Sequence, residues 1–223
     1  MNIIVFGATG MVGSGVLKEC LEDDRVKSIL VIGRTSCKLQ HPKLKEIIHA
    51  DFFDYGNIRE DFKKYDACFY CLGVSVAGMT EAKYTQLTHH LTLAAAEFLA
   101  SQNQNMTFCY LSAAGADSTE TSRLMWARVR GKTENDLLKL PFRLTVIFRP
   151  GYIHPMKGVR SKTLLYRVSY IVLGPFYPIF RRLIPDYLTT TEKIGLAMIH
   201  IAQNGYPKTV LSIPDINWAA ERH

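Results

Sequence analysis

Residues Asn2 to Gly13 read NIIVFGATGMVG, a short apolar run followed at once by a glycine-rich turn. This order predicts a buried strand, a turn and the start of a helix, as in sites that bind the pyrophosphate of a dinucleotide. The helix start would offer free N–H groups and the positive end of the helix dipole. The predicted phosphate-binding residues are Gly7, Ala8, Thr9, Gly10, Met11, Val12 and Gly13.

Downstream, short apolar runs alternate with helical stretches, a pattern that indicates parallel strands covered by helices on both faces. The predicted strands are Asn2–Phe6, Ser28–Ile32, Glu46–Ala50, Ala67–Leu72, Met106–Leu111, Arg143–Phe148 and a last one within Lys208–Ile213. The predicted helices are Met11–Asp24, Thr80–Gln102, Ser122–Lys139 and one that a Thr189/Glu192 capping box starts and Gln203 ends. We therefore predict an α/β fold, a Rossmann doubly wound parallel sheet with a small helical C-terminal cap. Residues 1–223 would form one domain, with roughly 150–205 contributing the substrate-side cap.

Composition places the chain among globular proteins. Of its 223 residues 48% are hydrophobic and 21% are charged, which excludes an intrinsically disordered chain. Five cysteines without framework spacing, and an apolar strand directly after Met1, lead us to expect a reducing, cytoplasmic setting. Cys68 and Cys71 fall on opposite faces of a predicted strand, so we interpret them as buried structural residues and predict no metal site.

The net charge of +7 is concentrated in one segment. Between Arg123 and Arg182 there are 13 Lys or Arg against two acidic residues. This local excess favours an anionic ligand, although a solvated basic face is the alternative. Nucleic acid is not expected as a partner, because no binding motif accompanies the charge. In the apolar, basic stretch Lys162–Arg182 the longest uncharged part, Val168–Phe180, is too short to span a bilayer. We therefore predict that the stretch packs over the nucleotide pocket; a peripheral membrane surface is the alternative.

The residues after the second and third strands indicate which dinucleotide binds. NAD-preferring sites carry an acid about 20 residues after the glycine motif, to hold the ribose 2′-hydroxyl. Here that position reads Gly33-Arg34-Thr35-Ser36, and Arg34 can form a forked pair with a 2′-phosphate. The cofactor predicted is therefore NADP(H), with NAD(H) second, and Thr35 and Ser36 would add hydroxyl donors. Residues predicted to flank the adenosine are Asp51, Phe52, Leu72 and Gly73.

Two further stretches, Leu111–Asp117 and Val129–Glu134, lie in the second half of the chain. Together with the glycine turn and the residues after the second, third and fourth strands, they resemble the atypical short-chain dehydrogenase/reductases, in particular their Tat-interactive-protein branch near the NmrA-like and epimerase-like proteins. The resemblance covers nearly the whole chain, and its more specific parts lie in the second half. It implies an NADP(H)-binding Rossmann domain whose substrate pocket is built after strands five and six. The motifs are Gly7–Gly13, Gly33-Arg34, Asp51-Phe52, Leu72-Gly73, Leu111–Asp117, Val129–Glu134 and Phe148–Gly151, and the residues implied to lie against the nicotinamide are Pro150, Gly151, Tyr152 and Ile153.

The resemblance breaks at the catalytic positions. Active members use a serine after the fifth strand and a Tyr-x-x-x-Lys pair on the next helix, where the phenol exchanges the proton. Ser112 fits the serine, but Trp126 stands at the tyrosine position and Arg130 at the lysine position, where it can still bind ribose hydroxyls. Indole N–H is not an acid in the useful range, and no carboxylate relay is expected behind Ser112. The candidate catalytic residues are thus Ser112, Trp126 and Arg130, with Tyr110, Tyr152 or His154 as substitute proton donors.

Two functions remain open from the sequence. One is an NADP(H)-dependent oxidoreductase acting on a small, anionic substrate with a non-standard catalytic set. The other is a catalytically silent NADP(H)-binding sensor that acts through a protein partner. The sequence leaves the substrate, the partner and the oligomeric state open.

Overall fold

The computed structural model describes residues 1–58, 60–157 and 187–222. Within them the centre is a seven-stranded parallel sheet, in the order β3-β2-β1-β4-β5-β6-β9. A smaller sheet pairs β7 with β8, also in parallel. The strands are β1 (Asn2–Phe6), β2 (Ser28–Gly33), β3 (Leu44–Ile48), β4 (Ala67–Tyr70), β5 (Thr107–Leu111), β6 (Leu144–Phe148), β7 (Tyr152–His154), β8 (Leu188–Thr190) and β9 (Val210–Leu211).

Helices cover both faces of the large sheet, which confirms the predicted doubly wound fold. A long helical stretch follows β4 and contains a π-helical turn, Gln86–His90, between two α-helical parts. The described helices are α1 (Met11–Glu22), α2 (Glu81–Thr85), α3 (Leu91–Gln102), α4 (Met125–Leu137), α5 (Thr191–Asn204) and α6 (Ile213–Ala220), with a 3-10 turn at Phe62–Lys64.

Strand β1 shows how the core is divided. Ile3 and Val5 belong to the cluster formed with α1, α5 and α6, whereas Ile4 and Phe6 belong to the cluster on the α3 side. All four side chains are fully buried, so β1 has no polar face. Burying an aliphatic or aromatic side chain of this size contributes roughly 1.5–3 kcal/mol. The continuous apolar run therefore reflects burial on two faces, as the pattern predicted.

Helix α5 is capped one residue later than the sequence predicted. The helix is capped by Thr190, whose Oγ1 accepts a hydrogen bond from the backbone N–H of Lys193 at 3.0 Å. The predicted cap, Thr189, instead donates to the side chain of Asn217 at 2.9 Å. Three consecutive threonines offer the same capping chemistry, and burial of Thr189 against α6 decides among them.

Three other boundaries differ from the predictions. The third strand lies two residues earlier than expected, at Leu44–Ile48, because its pairing with β2 begins at Leu44. The stretch after Pro150 contains β7, and α6 follows β9; neither element was predicted. Helix α6 begins with a capping box formed by Ser212 and Asp215.

The predicted cap is described only in part. Helix α5 packs against α1, where a Cβ added to Gly15 would lie 2.5 Å from the Cβ of Thr191. The segment Lys162–Arg182, predicted to cover the nucleotide pocket, lies outside the described residues, so the single-domain arrangement with its cap stays a prediction. Among the helices that are described, none has the length and apolar character needed to cross a membrane.

Cys68 and Cys71 are buried at the end of β4, which confirms their structural interpretation. Burial raises the pKa of both thiols, that of Cys71 to about 12. A thiol with so high a pKa carries almost no thiolate at neutral pH, and the thiolate is the reactive form.

Candidate functional site

A cleft of about 430 Å³ opens where β1, β2 and β4 end. Carboxyl ends of parallel strands are where α/β sheets bind ligands. The cleft brings together residues predicted from four separate parts of the chain. Its lining consists of Gly7, Ala8, Thr9, Val31, Gly33, Arg34, Thr35, Phe52 and Leu72.

The glycine turn forms the floor of this cleft. Gly7 has a φ of +78°, and a Cβ there would lie 2.7 Å from the backbone carbonyl of Cys71. A Cβ on Gly13 would lie 2.1 Å from the carbonyl oxygen of Gly7. A Cβ on Gly10 would lie 3.2 Å from the carbonyl oxygen of Gly7, a tight contact but a looser one than at Gly7 or Gly13. The turn itself therefore requires Gly7 and Gly13 more strictly than Gly10.

The start of α1 has backbone N–H groups without a capping side chain in the part of the chain that the structure describes. The first turn, which includes Met11 and Val12, contains no acidic residue. Free N–H groups and the positive helix end suit a phosphate group. The turn and the helix start therefore have the polarity that suits a pyrophosphate.

We expect Gly13→Ala and Gly10→Ala to separate stability from binding. Gly13→Ala forces a Cβ against the backbone of Gly7, so it should lower the free energy of unfolding by about 1–3 kcal/mol. We expect Gly10→Ala, which puts a methyl group where backbone approaches the pyrophosphate, to weaken dinucleotide binding about tenfold or more with a smaller loss of stability than Gly13→Ala. Urea denaturation and calorimetric titration measure the two quantities. Equal loss of stability in both variants would contradict the assignment of distinct roles.

The loop after β2 carries Arg34 at one end of the cleft. Arg34 and Thr35 are exposed, and among the described residues Arg34 forms no ion pair. A guanidinium so placed remains available to an anionic ligand.

Ser36, expected to be a hydroxyl donor for the ligand, is bound elsewhere. Its Oγ donates to the carboxylate of Glu46 at 2.7 Å, and the backbone N–H of Cys37 donates to the same group at 2.8 Å. Burial acts to raise the pKa of Glu46, but these hydrogen bonds outweigh it and the net pKa is lowered. Glu46 lies ten residues further along the chain, on β3, and β2–β3 pairing brings it here.

The other predicted adenosine contacts divide between core and surface. Phe52 is buried, packs edge-on against Phe6 at 6.0 Å, and lines the cleft. Asp51 is exposed outside the cleft lining, and its Oδ1 accepts from the backbone N–H of Phe53 at 2.9 Å. Leu72 lines the cleft, whereas Gly73 lies beyond it, near the guanidinium of Arg130.

Helix α4 supplies the second half of the site. Trp126 and Arg130 are four residues apart and therefore share one face of the helix. The ring of Trp126 would lie 3.0 Å from a Cβ on Gly115, so the indole packs on the loop after β5. A Cβ on Gly131 would lie 1.7 Å from the carbonyl oxygen of Asp117, which fixes the helix closely against the same loop.

Arg130 is held by a phenol that sequence reasoning missed. Its Nε donates to the hydroxyl of Tyr84 at 3.1 Å, and its Nη1 is buried without a hydrogen-bond partner in the described part of the chain. Tyr84 lies on α2, and no spacing rule relates it to Arg130. Burial raises the pKa of Tyr110 to about 12, against the opposing charge of Arg130. Tyr110 is 1% exposed and so belongs to the core.

Ser112 has a carboxylate behind it, contrary to expectation. Its Oγ donates to Glu134, on α4, and its backbone N–H donates to the carbonyl of Phe148 at 2.8 Å. Glu134 is 1% exposed, and Arg149 binds it through Nε at 2.9 Å and through Nη2. The sequence held one signal: Glu134 follows Arg130 by four residues and extends the face of Trp126 and Arg130.

The stretch Pro150–Ile153 follows β6 into β7. The carbonyl of Pro150 accepts from the backbone N–H of Ala114 at 2.8 Å, so the loops after β5 and β6 are joined. Tyr152 and His154 are half-buried with ring centroids 6.4 Å apart, and burial lowers the pKa of His154. Gly151 adjoins Ile213 at the start of α6, while Ile153 packs against the core cluster shared by α1 and α5.

Comparison with known proteins agrees with this geometry. The sequence pattern of the NAD dependent epimerase/dehydratase family matches residues 3–123. A protein of Meyerozyma guilliermondii named FMP52, mitochondrial, is 30% identical over 69% of this chain and 65% of its own length. The FMP52 protein of Debaryomyces hansenii is 27% identical over 91% and 88%. HTATIP2 of Rattus norvegicus is 26% identical over 68% and 62%.

These names correct one expectation. The prediction of a cytoplasmic protein is wrong, because the FMP52 relatives are named as mitochondrial. The prediction rested on the lack of disulfide spacing and on the residues at the start of the sequence. A reducing environment, which is all that unpaired cysteines indicate, does not specify a compartment.

Solved structures agree in fold. The Bordetella bronchiseptica enzyme WbmF in complex with NAD+ aligns with a TM-score of 0.65 at 16% identity, over 99% of this chain and 77% of that one. A short chain dehydrogenase family protein of Francisella tularensis aligns with a TM-score of 0.60 at 14% identity, over 92% and 91%. At such identities the likeness concerns the fold.

Proposed function

The chain belongs to the NAD dependent epimerase/dehydratase family, and on that premise we propose that it binds NADP(H) and acts as an oxidoreductase on a small, anionic substrate. The observation that carries the proposal is Arg34, which lines the same cleft as the glycine turn and forms no ion pair among the described residues. A dinucleotide with an added 2′-phosphate supplies anionic groups for both ends of this cleft.

Each part of the cleft has a proposed role. The backbone N–H groups of Met11 and Val12 would bind the pyrophosphate, Arg34 and Thr35 the 2′-phosphate, and Phe52 would pack beside the adenine. The buried, unpartnered Nη1 of Arg130 would donate to the nicotinamide ribose, with Pro150–Ile153 alongside the nicotinamide. When bound, the nicotinamide supplies or accepts a hydride.

Titration of both cofactors tests this assignment. We expect NADPH to bind about tenfold more tightly than NADH, since a forked, charge-assisted contact is among the stronger hydrogen bonds. Arg34→Ala should remove that preference while leaving NADH affinity nearly unchanged. Arg25→Ala, which makes the same charge change beyond the far end of α1, should alter neither. Equal affinities in the wild type would refute NADP(H) selectivity.

A second candidate is a catalytically silent NADP(H)-binding sensor that acts through a protein partner. The observation that favours it is Trp126, an indole at the tyrosine position that packs on Gly115 and has no acidic group. For either function we propose the mitochondrion as the location, by similarity to the FMP52 relatives. Subcellular fractionation with protease protection tests the location.

A further inference from the structure

Two segments that leave the sheet meet at one buried carboxylate, which helix α4 supplies. Ser112 follows β5, Arg149 follows β6, and Glu134 lies on α4 between them. The Nη2 of Arg149 also donates to Ser118 Oγ at 2.6 Å, so the guanidinium is held from both sides. Groups of the protein therefore fix the orientation of the Ser112 hydroxyl before any ligand binds.

The hydrogen-bonding roles in this network follow from counting protons. A serine hydroxyl has one proton and two lone pairs, an ionised carboxylate can only accept, and a guanidinium can only donate. Glu134 accepts from two nitrogens of Arg149 as the acidic half of an ion pair, so the proton between Ser112 and Glu134 belongs to the serine. Once that proton points at Glu134, only the lone pairs of Ser112 remain for a ligand.

We infer that Ser112 acts in the site as a hydrogen-bond acceptor, so that the ligand group beside it is a donor: an alcohol hydroxyl in preference to a ketone carbonyl. The inference rests on the proposed oxidoreductase function and specifies its substrate class. A ketone oxygen beside Ser112 would face the lone pairs of the serine oxygen and would receive no hydrogen bond from it. Leaving such a polar pairing unmade reduces affinity about tenfold. Glu134 acts through Ser112 and is a positioning residue.

Glu134→Gln is designed to reverse this polarity at nearly constant size. The glutamine oxygen is needed by the donors of Arg149, so its amide N–H turns to Ser112. Ser112 then accepts from the amide, and its own proton becomes available to a ligand. A purely structural role for Glu134 predicts weaker binding of every ligand and no reversal between alcohol and ketone.

The test uses the full chain saturated with NADP+ and a pair of anionic probes that differ only at the reacting oxygen, 4-hydroxycyclohexanecarboxylate and 4-oxocyclohexanecarboxylate, with affinities measured by ligand-observed NMR. In the wild type we expect the alcohol to bind about tenfold more tightly than the ketone. Glu134→Gln should favour the ketone, and Ser112→Ala should bring the two affinities within about twofold of each other. Asp136→Asn is the matched control, because this carboxylate lies on the same helix but pairs with Lys132 and Lys139. It should keep the wild-type preference.

Several results would overturn the inference. They are a wild-type preference for the ketone, equal affinities, no binding of either probe to the cofactor-loaded protein, or an unchanged preference in Ser112→Ala. Neutron diffraction gives a second readout that needs no ligand and no variant. Deuterium density between Ser112 Oγ and Glu134 supports the inference, and density pointing away from Glu134 contradicts it. Failure of NADP+ itself to bind would instead refute the proposed function.

Discussion

Replacing Arg149 with methionine is expected to lower the free energy of unfolding by about 3–5 kcal/mol. The variant keeps an unbranched, apolar stem but removes the guanidinium, so the carboxylate of Glu134, 1% exposed, is left without its counter-ion. A buried charge that loses its partner keeps the cost of desolvation and loses the compensating attraction. Urea denaturation at neutral pH, with the slope compared between variants, measures the change.

Two further variants make this prediction specific. Glu134→Leu combined with Arg149→Met removes both charges, so most of the lost stability should return. Arg128→Met breaks an ion pair with Glu81, whose side chain is 51% exposed, and should cost less than about 1 kcal/mol. If Arg149→Met costs no more than Arg128→Met, the buried pair does not stabilise the fold as described.

The second large effect concerns catalysis. The wild-type protein should show little or no general carbonyl reductase activity, and Trp126→Tyr with Arg130→Lys should raise turnover about 10²-fold, within the range for a positioned acid–base group. Hydride transfer between an alcohol and a carbonyl requires that a proton be moved at the same oxygen, and an indole cannot move it. Rates are measured in both directions, with secondary alcohols and NADP+ and with ketones or quinones and NADPH.

Trp126→Phe with Arg130→Lys is the matched control, because it repeats the change in size without the hydroxyl and should give no gain. Rapid wild-type turnover that is unaffected by Trp126→Ala would contradict the prediction and eliminate the silent-sensor candidate. In that event Tyr84→Phe determines whether the phenol bound to Arg130 moves the proton.

The sequence predicted those parts of the fold that depend on patterns among neighbouring residues. The strand, turn and helix start at Asn2–Gly13 need only local patterns, and the structure has them where expected. The pairing of β7 with β8 joins residues Tyr152 and Leu188, far apart in sequence. Strands of three residues have too little periodicity to be found by alternation.

The candidate site divides in the same way. Residues on one motif, such as Gly7 and Thr9, were placed together because the turn itself joins them. The ion pair of Glu134 with Arg149 depends on how α4 lies across the ends of β5 and β6, which hydrophobic patterning does not determine. Which cofactor these residues bind, and which of them act in catalysis, stays a prediction for the experiments above.

The π-helical turn at Gln86–His90 has a consequence for how this protein can change over evolution. A π turn bonds residue i to i+5 and so holds one residue more than an α turn. Deleting that residue would restore a regular helix but rotate α2 by roughly 100° relative to α3. Tyr84 precedes the turn and would be swung away from Arg130. A single-residue gap here in a descendant sequence would therefore not be silent, and we expect it to accompany a change at position 84 or 130.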